Sequence, residues 1–303
     1  MKDVGNNIRY YGASPNNYIY FNCSDCSNQS TSTCELWRIV GVFDGKIKLM
    51  RNSSIGEIPY DNDSENSYLQ SLSNNNDKVV ATPLAYNTND KSKAIKLAGT
   101  IDTDCIGYND YSTSTIQKIL NNYYYKGLKY SGNNTYDFTS IGIKNDQTRN
   151  MINEEKWTLF SPVGLYVDQV YLDEKVTGQI HSGNSDSWTG KIALAYVNDY
   201  GYAVDLSKCS QTLDKYNDST CISNNWMKNI LATSKNSWLL SPTYANSQGI
   251  WYVYSTGFVT VGGNDNTCPS YSSNIVPVFY VNSSVSIKSG DGSSSNPYQI
   301  LVD

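Results

Sequence analysis

The feature that most constrains this chain is a pair of apolar runs joined by Asp44-Gly45. Leu36-Trp37-Arg38-Ile39-Val40-Gly41-Val42-Phe43 is β-branched and aromatic, and Lys46-Ile47-Lys48-Leu49-Met50 follows it with period two. Asp-Gly between two such runs is a hairpin signal, because the tight turn that suits twisted strands needs residues tolerant of positive φ. With Tyr18-Ile19-Tyr20-Phe21 upstream, the N-terminal part is expected to be a β-meander. Residues 52–80 are dominated by Asn, Ser and Asp and suit a long surface loop.

Helical spacing follows. Ile116, Ile119, Leu120 and Tyr123 come after the hydroxyl-rich Ser112-Thr113-Ser114-Thr115, which predicts a helix from about Thr113 to Lys126, ended by Gly127. A second helix is expected from Asn145-Asp146 to about Lys156, and a short one around Asn225 to Ile230. Lys191 to Val197 reads as a strand. From Trp238 to the end, apolar runs separated by Gly, Asn and Ser read as short strands: Trp238-Leu240, Gly249-Tyr254, Gly257-Val261, Ile275-Val281 and Tyr298-Val302. Strands at both ends with helices between them give an α+β class, with antiparallel sheets, two or three helices and long polar loops. Pairing the similarly aromatic end regions in one sheet argues for one domain over residues 1–303, with 238–303 its C-terminal β region.

Charged residues make up 17% of the chain, below the roughly 25% of ordinary soluble domains, while 26 Tyr stand against 6 Phe. A hydrophobic content of 39% is enough for a core and argues against intrinsic disorder. With a formal net charge of -5 and scattered basic residues, the chain lacks the footprint of a phosphate-backbone binder, so nucleic acid is not expected as a partner. No run of about 18 apolar residues occurs, so no membrane insertion by this segment is expected. Met1 to Arg9 do not resemble a signal peptide; if the protein is exported, its signal or anchor has been removed.

Cys23, Cys26 and Cys34 sit among Ser, Asn and Thr, and Cys209 and Cys221 close a short polar loop. Surroundings that polar do not look like core, so cross-linking in an oxidising compartment is expected at Cys23, Cys34, Cys209 and Cys221. The rival is zinc, since Cys23-Ser-Asp-Cys26 has knuckle spacing and Cys34 is a third candidate ligand, yet no second such pair exists. Seven cysteines leave at least one unpaired within the chain, and the pairing of Cys26, Cys105 and Cys268 is not legible in the spacing.

Certain segments carry a resemblance. Leu36-Trp37-Arg38-Ile39-Val40-Gly41-Val42 with Gly45-Lys46-Ile47-Lys48-Leu49, Ile119-Leu120-Asn121-Asn122-Tyr123-Tyr124, Trp238-Leu239-Leu240-Ser241-Pro242 and Val276-Pro277-Val278-Phe279-Tyr280-Val281 look like a bacterial surface-domain family of undefined function, frequent in gut Firmicutes and their relatives. Lys191-Ile192-Ala193-Leu194 with Asp199-Tyr200-Gly201-Tyr202-Ala203, and Ser289-Gly290-Asp291-Gly292 with Asn296-Pro297-Tyr298, are similar to a subgroup in which the domain follows a type IV prepilin-like segment. The resemblance runs from about Asn7 to Leu301. It implies a C-type-lectin-like fold, similar to formylglycine-generating enzymes and to the variable proteins of diversity-generating retroelements. Leu240 stands where that broader pattern has Arg, and Val276-Pro277 lacks the usual preceding Arg.

The chemistry available is sparse. His181 is the sole histidine and sits in a loop-like context, so a solvent-exposed or structural role is expected. Glu154-Glu155, Asp168, Asp173-Glu174 and Asp199 would suffice in number for glycoside hydrolysis, but carboxylates are nearly always available, and Glu154 and Glu155 read as the solvated face of a helix. No cofactor is expected; calcium is the one candidate, at Asp102-Thr103-Asp104 with Asp110 or at Asn264-Asp265-Asn266, neither with EF-hand spacing. The stronger signal is the Tyr- and Asn-rich segment from 244 to 274, whose mix of rigid rings and small polar groups is that of adaptable recognition surfaces. Its candidate ligand-binding residues are Tyr244, Asn246, Gln248, Tyr252, Tyr254, Asn264, Asp265, Asn266 and Tyr271, with Trp251 assigned to the core. The resulting expectation is a non-enzymatic, secreted or cell-surface, adhesin-like ectodomain, the head of a pilin-like or anchored protein, binding a glycan or a protein. The alternatives are a structural pilin-type subunit that packs only against copies of itself in a filament, and a carbohydrate-active or sulfatase-maturation enzyme.

Overall fold

The computed structural model describes residues 1–62, 107–245, 248–261, 268–282 and 285–301. In chain order its elements are β1 (Ile8–Arg9), β2 (Tyr18–Phe21), β3 (Glu35–Phe43), β4 (Lys46–Arg51), β5 (Glu57–Pro59), α1 (Thr115–Lys118, running on in wider turns through Ile119–Tyr124), β6 (Lys129–Ser131), β7 (Thr135–Asp137), α2 (Asp146–Met151), β8 (Glu155–Thr158), α3 (Val167–Leu172, running on through Asp173–Thr177) and β9 (Ser187–Gly190). Then come α4 (Val197–Gly201), a single tight turn at Leu213–Lys215, α5 (Ser219–Ser223), α6 (Lys228–Leu231), β10 (Ser237–Pro242), β11 (Ile250–Val253), β12 (Val259–Val261), β13 (Ser272–Asn274), β14 (Val278–Val281), β15 (Ser286–Ser289) and β16 (Gln299–Leu301). The class is α+β, with mostly antiparallel sheets.

The Asp44-Gly45 turn forms as its residue types dictate, with φ of 49° and 77°, and it pairs β3 with β4 so that Phe43 faces Lys46. One five-stranded sheet runs β1-β3-β4-β14, with β2 also on β3; a second runs β12-β11-β10-β13-β5. Strands from the two ends of the chain share the first sheet: Val278 to Val281 lie against Met50 to Ile47. On the first sheet, Phe21 of β2, Trp37 of β3 and Phe279 of β14 pack together with centroid separations of 4.7 to 5.9 Å. Full burial of each such ring is worth about 2–3 kcal/mol. Among the described residues no helix is long and apolar enough to cross a membrane.

Caps explain two helix starts. Ser114 accepts from the Gln117 amide and opens α1, and Asn145 accepts from the Thr148 amide and opens α2. Gly127, at a φ of 63°, ends the turns that follow α1.

Several expectations are corrected. Lys191 to Val197 is not a strand: β9 precedes it, only Ala193 bridges to Val278, and α4 begins at Val197. Buried carboxylates draw this segment into a helix start, since Glu174 accepts from the Val197 and Asn198 amides while Asp199 accepts from that of Tyr196. Helix α2 stops at Met151, so Glu154 and Glu155 share no helical face; Glu155 opens β8 and pairs with Lys46 at 2.7 Å. The segment from 52 is not all loop, because β5 forms within it and Ile58 and Tyr60 are buried; residues 63–80 lie outside those described. Helical pieces are shorter and more numerous than the two or three expected.

Cys23 is joined to Cys34 and Cys209 to Cys221, and Cys268 is also disulfide-bonded. These surroundings are less polar than the sequence suggests: Cys23, Cys26 and Cys34 form a small buried cluster with Tyr20 and Leu36, in which Cys26 keeps a free thiol.

Candidate ligand-binding face

The segment from 244 to 274 does not form one surface. β10 and β11 pair antiparallel, with Pro242 opposite Ile250 at one end and Ser237 opposite Val253 at the other. The connection carrying Tyr244 and Gln248 leaves the first end. Tyr254 leaves the second, where the Ser255 amide donates to Asn236 Oδ1 at 3.2 Å. Tyr252 lies between them and is buried against Trp238, with ring centroids 6.1 Å apart, so its ring is packed rather than presented. Trp251 is core, as expected.

Loops from distant parts of the chain converge on the Tyr244 end. Asn109, fully buried, donates from Nδ2 to the carbonyls of Thr243 and Gly249 at 3.0 and 2.8 Å, closing the mouth of that connection. Its Oδ1 accepts from Asn184 at 2.7 Å. Asp110 next door accepts from the amides of Ser112 and Ser185, and the hydroxyls of those serines meet at 2.8 Å. Nδ1 of His181 lies 3.1 Å from the Tyr244 carbonyl oxygen. Asp61 ties in a further loop: its carboxylate accepts from the Tyr108 amide while its own amide donates to the Pro269 carbonyl. Tyr271 follows directly, its amide donating to the Cys268 carbonyl. The fold therefore gathers Tyr244, Gln248 and Tyr271 in one loop cluster on rigid supports and sends Tyr254 elsewhere. Asn246, Asn264, Asp265 and Asn266 lie outside the described residues, as do the calcium candidates Asp102 to Asp104.

Burial holds the His181 imidazole below its ordinary value, against the opposing pull of the Tyr244 carbonyl. The ring is 5% exposed, which places it in a supporting role under the loops. Asp110 accepts from backbone amides, and Asp61 from the Tyr108 and Thr115 amides and the Thr115 hydroxyl, which fixes loop shape. Tyr244, at 38% exposure, is the more exposed of the cluster's two tyrosines, Tyr271 being half-buried.

The strongly perturbed titratable groups are in the interior, about Asp199. Lys48 Nζ touches Asp199 Oδ2 with both side chains inaccessible, while Arg9 Nη1 reaches Asp199 Oδ1 at 2.8 Å and Arg9 Nε reaches Asp3 Oδ2 at 2.7 Å. Glu174 accepts from Ser241 and from Asn198 Nδ2. Burial lowers Lys48 despite its carboxylate partner, and burial raises Glu174 despite its hydrogen bonds. Burial alone would raise Asp199, but Lys48 and Arg9 outweigh it and hold the carboxyl below its ordinary value. Rings of Phe43, Trp157, Tyr196 and Tyr280 stand 4.8 to 5.5 Å from Lys48 Nζ.

Sequence reasoning did not single out Asn109, Asn184 or Asp61; Asp110 was flagged as a calcium candidate, His181 as exposed or structural, and Glu174 and Asp199 only as available carboxylates, without their partners Lys48 and Arg9. The chain matches no family model, no curated protein and no solved structure.

Proposed function

We propose that this chain is a non-enzymatic, adhesin-like ectodomain that acts outside the cell and uses the loop cluster around Tyr244, Gln248 and Tyr271 to hold a glycan or a protein. The observation that carries the reading is the clamp at Asn109, which holds together Thr243 and Gly249 on either side of the exposed Tyr244. Loops positioned by a rigid scaffold are where binding residues concentrate, and preorganisation lowers the entropic cost of binding. The two disulfide pairs fit an oxidising compartment and hence an extracellular or cell-surface location. A C-type-lectin-like relationship is proposed from the resemblance; the pairing of β4 with β14, which brings the ends of the chain together, supports it.

The test is a glycan and host-protein array probed with the purified chain and two variants. Tyr244→Ala is expected to abolish the signal, and Tyr254→Ala, at the far end of β11, to leave it intact. Equal loss in both, or retention in both, contradicts the assignment of the face. A second reading, a pilin-type subunit that packs against copies of itself, is favoured by exposed apolar side chains at Val163, Leu165, Tyr166, Leu172 and Val176. Concentration-dependent self-association, lost in Tyr166→Ser with Val176→Ser, together with a blank array would support it.

A further inference from the structure

We propose that Lys48 and Asp199 condense into an intramolecular isopeptide bond that ties strand β4 to helix α4 through a side-chain amide. The two residues are 151 positions apart in sequence, yet the amine nitrogen and the carboxylate are in contact, with side-chain exposures of 0% and 1%. A nucleophile and an electrophile held in this way react with effective concentrations of about 10⁵ to 10⁸ M.

The surroundings favour the step. Rings around Lys48 make the site apolar, where a desolvated ion pair is costly, and the first step is the transfer of a proton from the ammonium to the carboxylate across their contact, giving a neutral amine and acid. The amine lone pair then forms the N–C bond at Cγ of Asp199. Negative charge develops on Oδ1, where Arg9 Nη1 already donates at 2.8 Å. The second proton passes from nitrogen to Oδ2, which also accepts from the Tyr196 amide at 2.9 Å. The Cγ–Oδ2 bond breaks, and that oxygen leaves as water. Ammonium plus carboxylate becomes amide plus one water, with no oxidant, reductant or other reactant and no change in net charge. The product leaves the interior balanced, because Arg9 keeps Asp3 at 2.7 Å. Burial then shields the amide from hydrolysis, and the cross-link holds the first sheet to the helical segment whatever ligand the loops bind.

Mass spectrometry of the intact chain, reduced and denatured, tests this without a ligand. The expected mass is below that of the sequence by one water. Trypsin should fail to cleave after Lys48 and should release a branched peptide joining Ile47–Arg51 to Ile192–Lys208. Lys48→Arg, which keeps the charge but not the amine, should restore the full mass. A full mass in the unaltered protein, with cleavage after Lys48, overturns the proposal. So does a water loss that persists in Lys48→Arg or maps to a linear peptide at Asp44-Gly45 or Asp291-Gly292, where a succinimide would lose the same mass.

Discussion

Replacing Asn109 with alanine is expected to destabilise the fold locally at the proposed binding face. The side chain is completely buried and makes hydrogen bonds of 3.0, 2.8 and 2.7 Å to Thr243, Gly249 and Asn184. Alanine removes all of these together, leaving the Thr243 and Gly249 carbonyls without the Asn109 donor while Gly249 keeps the Thr243 amide at 2.8 Å. At about 1 kcal/mol net for each neutral hydrogen bond, the loss is about 3 kcal/mol. Urea unfolding followed by tryptophan fluorescence gives the total. A double-mutant cycle with Asn184→Ala should return a coupling of about 1 kcal/mol, since the two amides share one bond. Hydrogen exchange should localise the damage, with the amides of Thr243 and Gly249 exchanging faster while those of β3 and β4 stay protected. A loss under about 0.5 kcal/mol, the level of ordinary surface substitutions, with unchanged exchange at those amides, would refute the clamp.

Other outcomes follow from the same structure. Cys209→Ser with Cys221→Ser opens a loop of sequence separation 12 and should cost about 3 kcal/mol by chain entropy, read as a lower urea midpoint; an unchanged midpoint argues against the cross-link in solution. Burial depresses the His181 imidazole below 6.5, so the unfolded chain takes up its proton first as pH falls. Stability should therefore be constant above that pH with respect to this group and decline below it, and His181→Gln should flatten the decline in a pH series of urea midpoints.

The hairpin at Asp44-Gly45, the caps at Ser114 and Asn145, and the late strands were legible because each rests on local residue types or on alternation. The pairing of β4 with β14 was legible as composition, since both ends carry aromatic and β-branched runs. Lys191 to Val197 misled because an apolar run buried on all sides has no period to read, and the carboxylate that sets its helix start, Glu174, lies far upstream. Helix α3 was missed because Tyr166 precedes it without a side-chain cap. The Tyr- and Asn-rich segment proposed to bind was visible by composition, but composition could not show that Tyr244 and Tyr254 leave opposite ends of the β10–β11 pair, or that both faces of β11 are covered and Tyr252 with them. Asn109 and Asn184 carry no signal in an Asn-rich chain. Asp3, Arg9, Lys48, Glu174 and Asp199 are scattered along the sequence, and only folding assembles them.

The most direct measurement is a hydrogen-exchange footprint of the chain with whichever glycan or protein the array identifies. Protection confined to residues 181–185, 243–249 and 268–271 is expected. Protection centred on the β6–β7 hairpin or around Tyr254, with those loops unaffected, would contradict it.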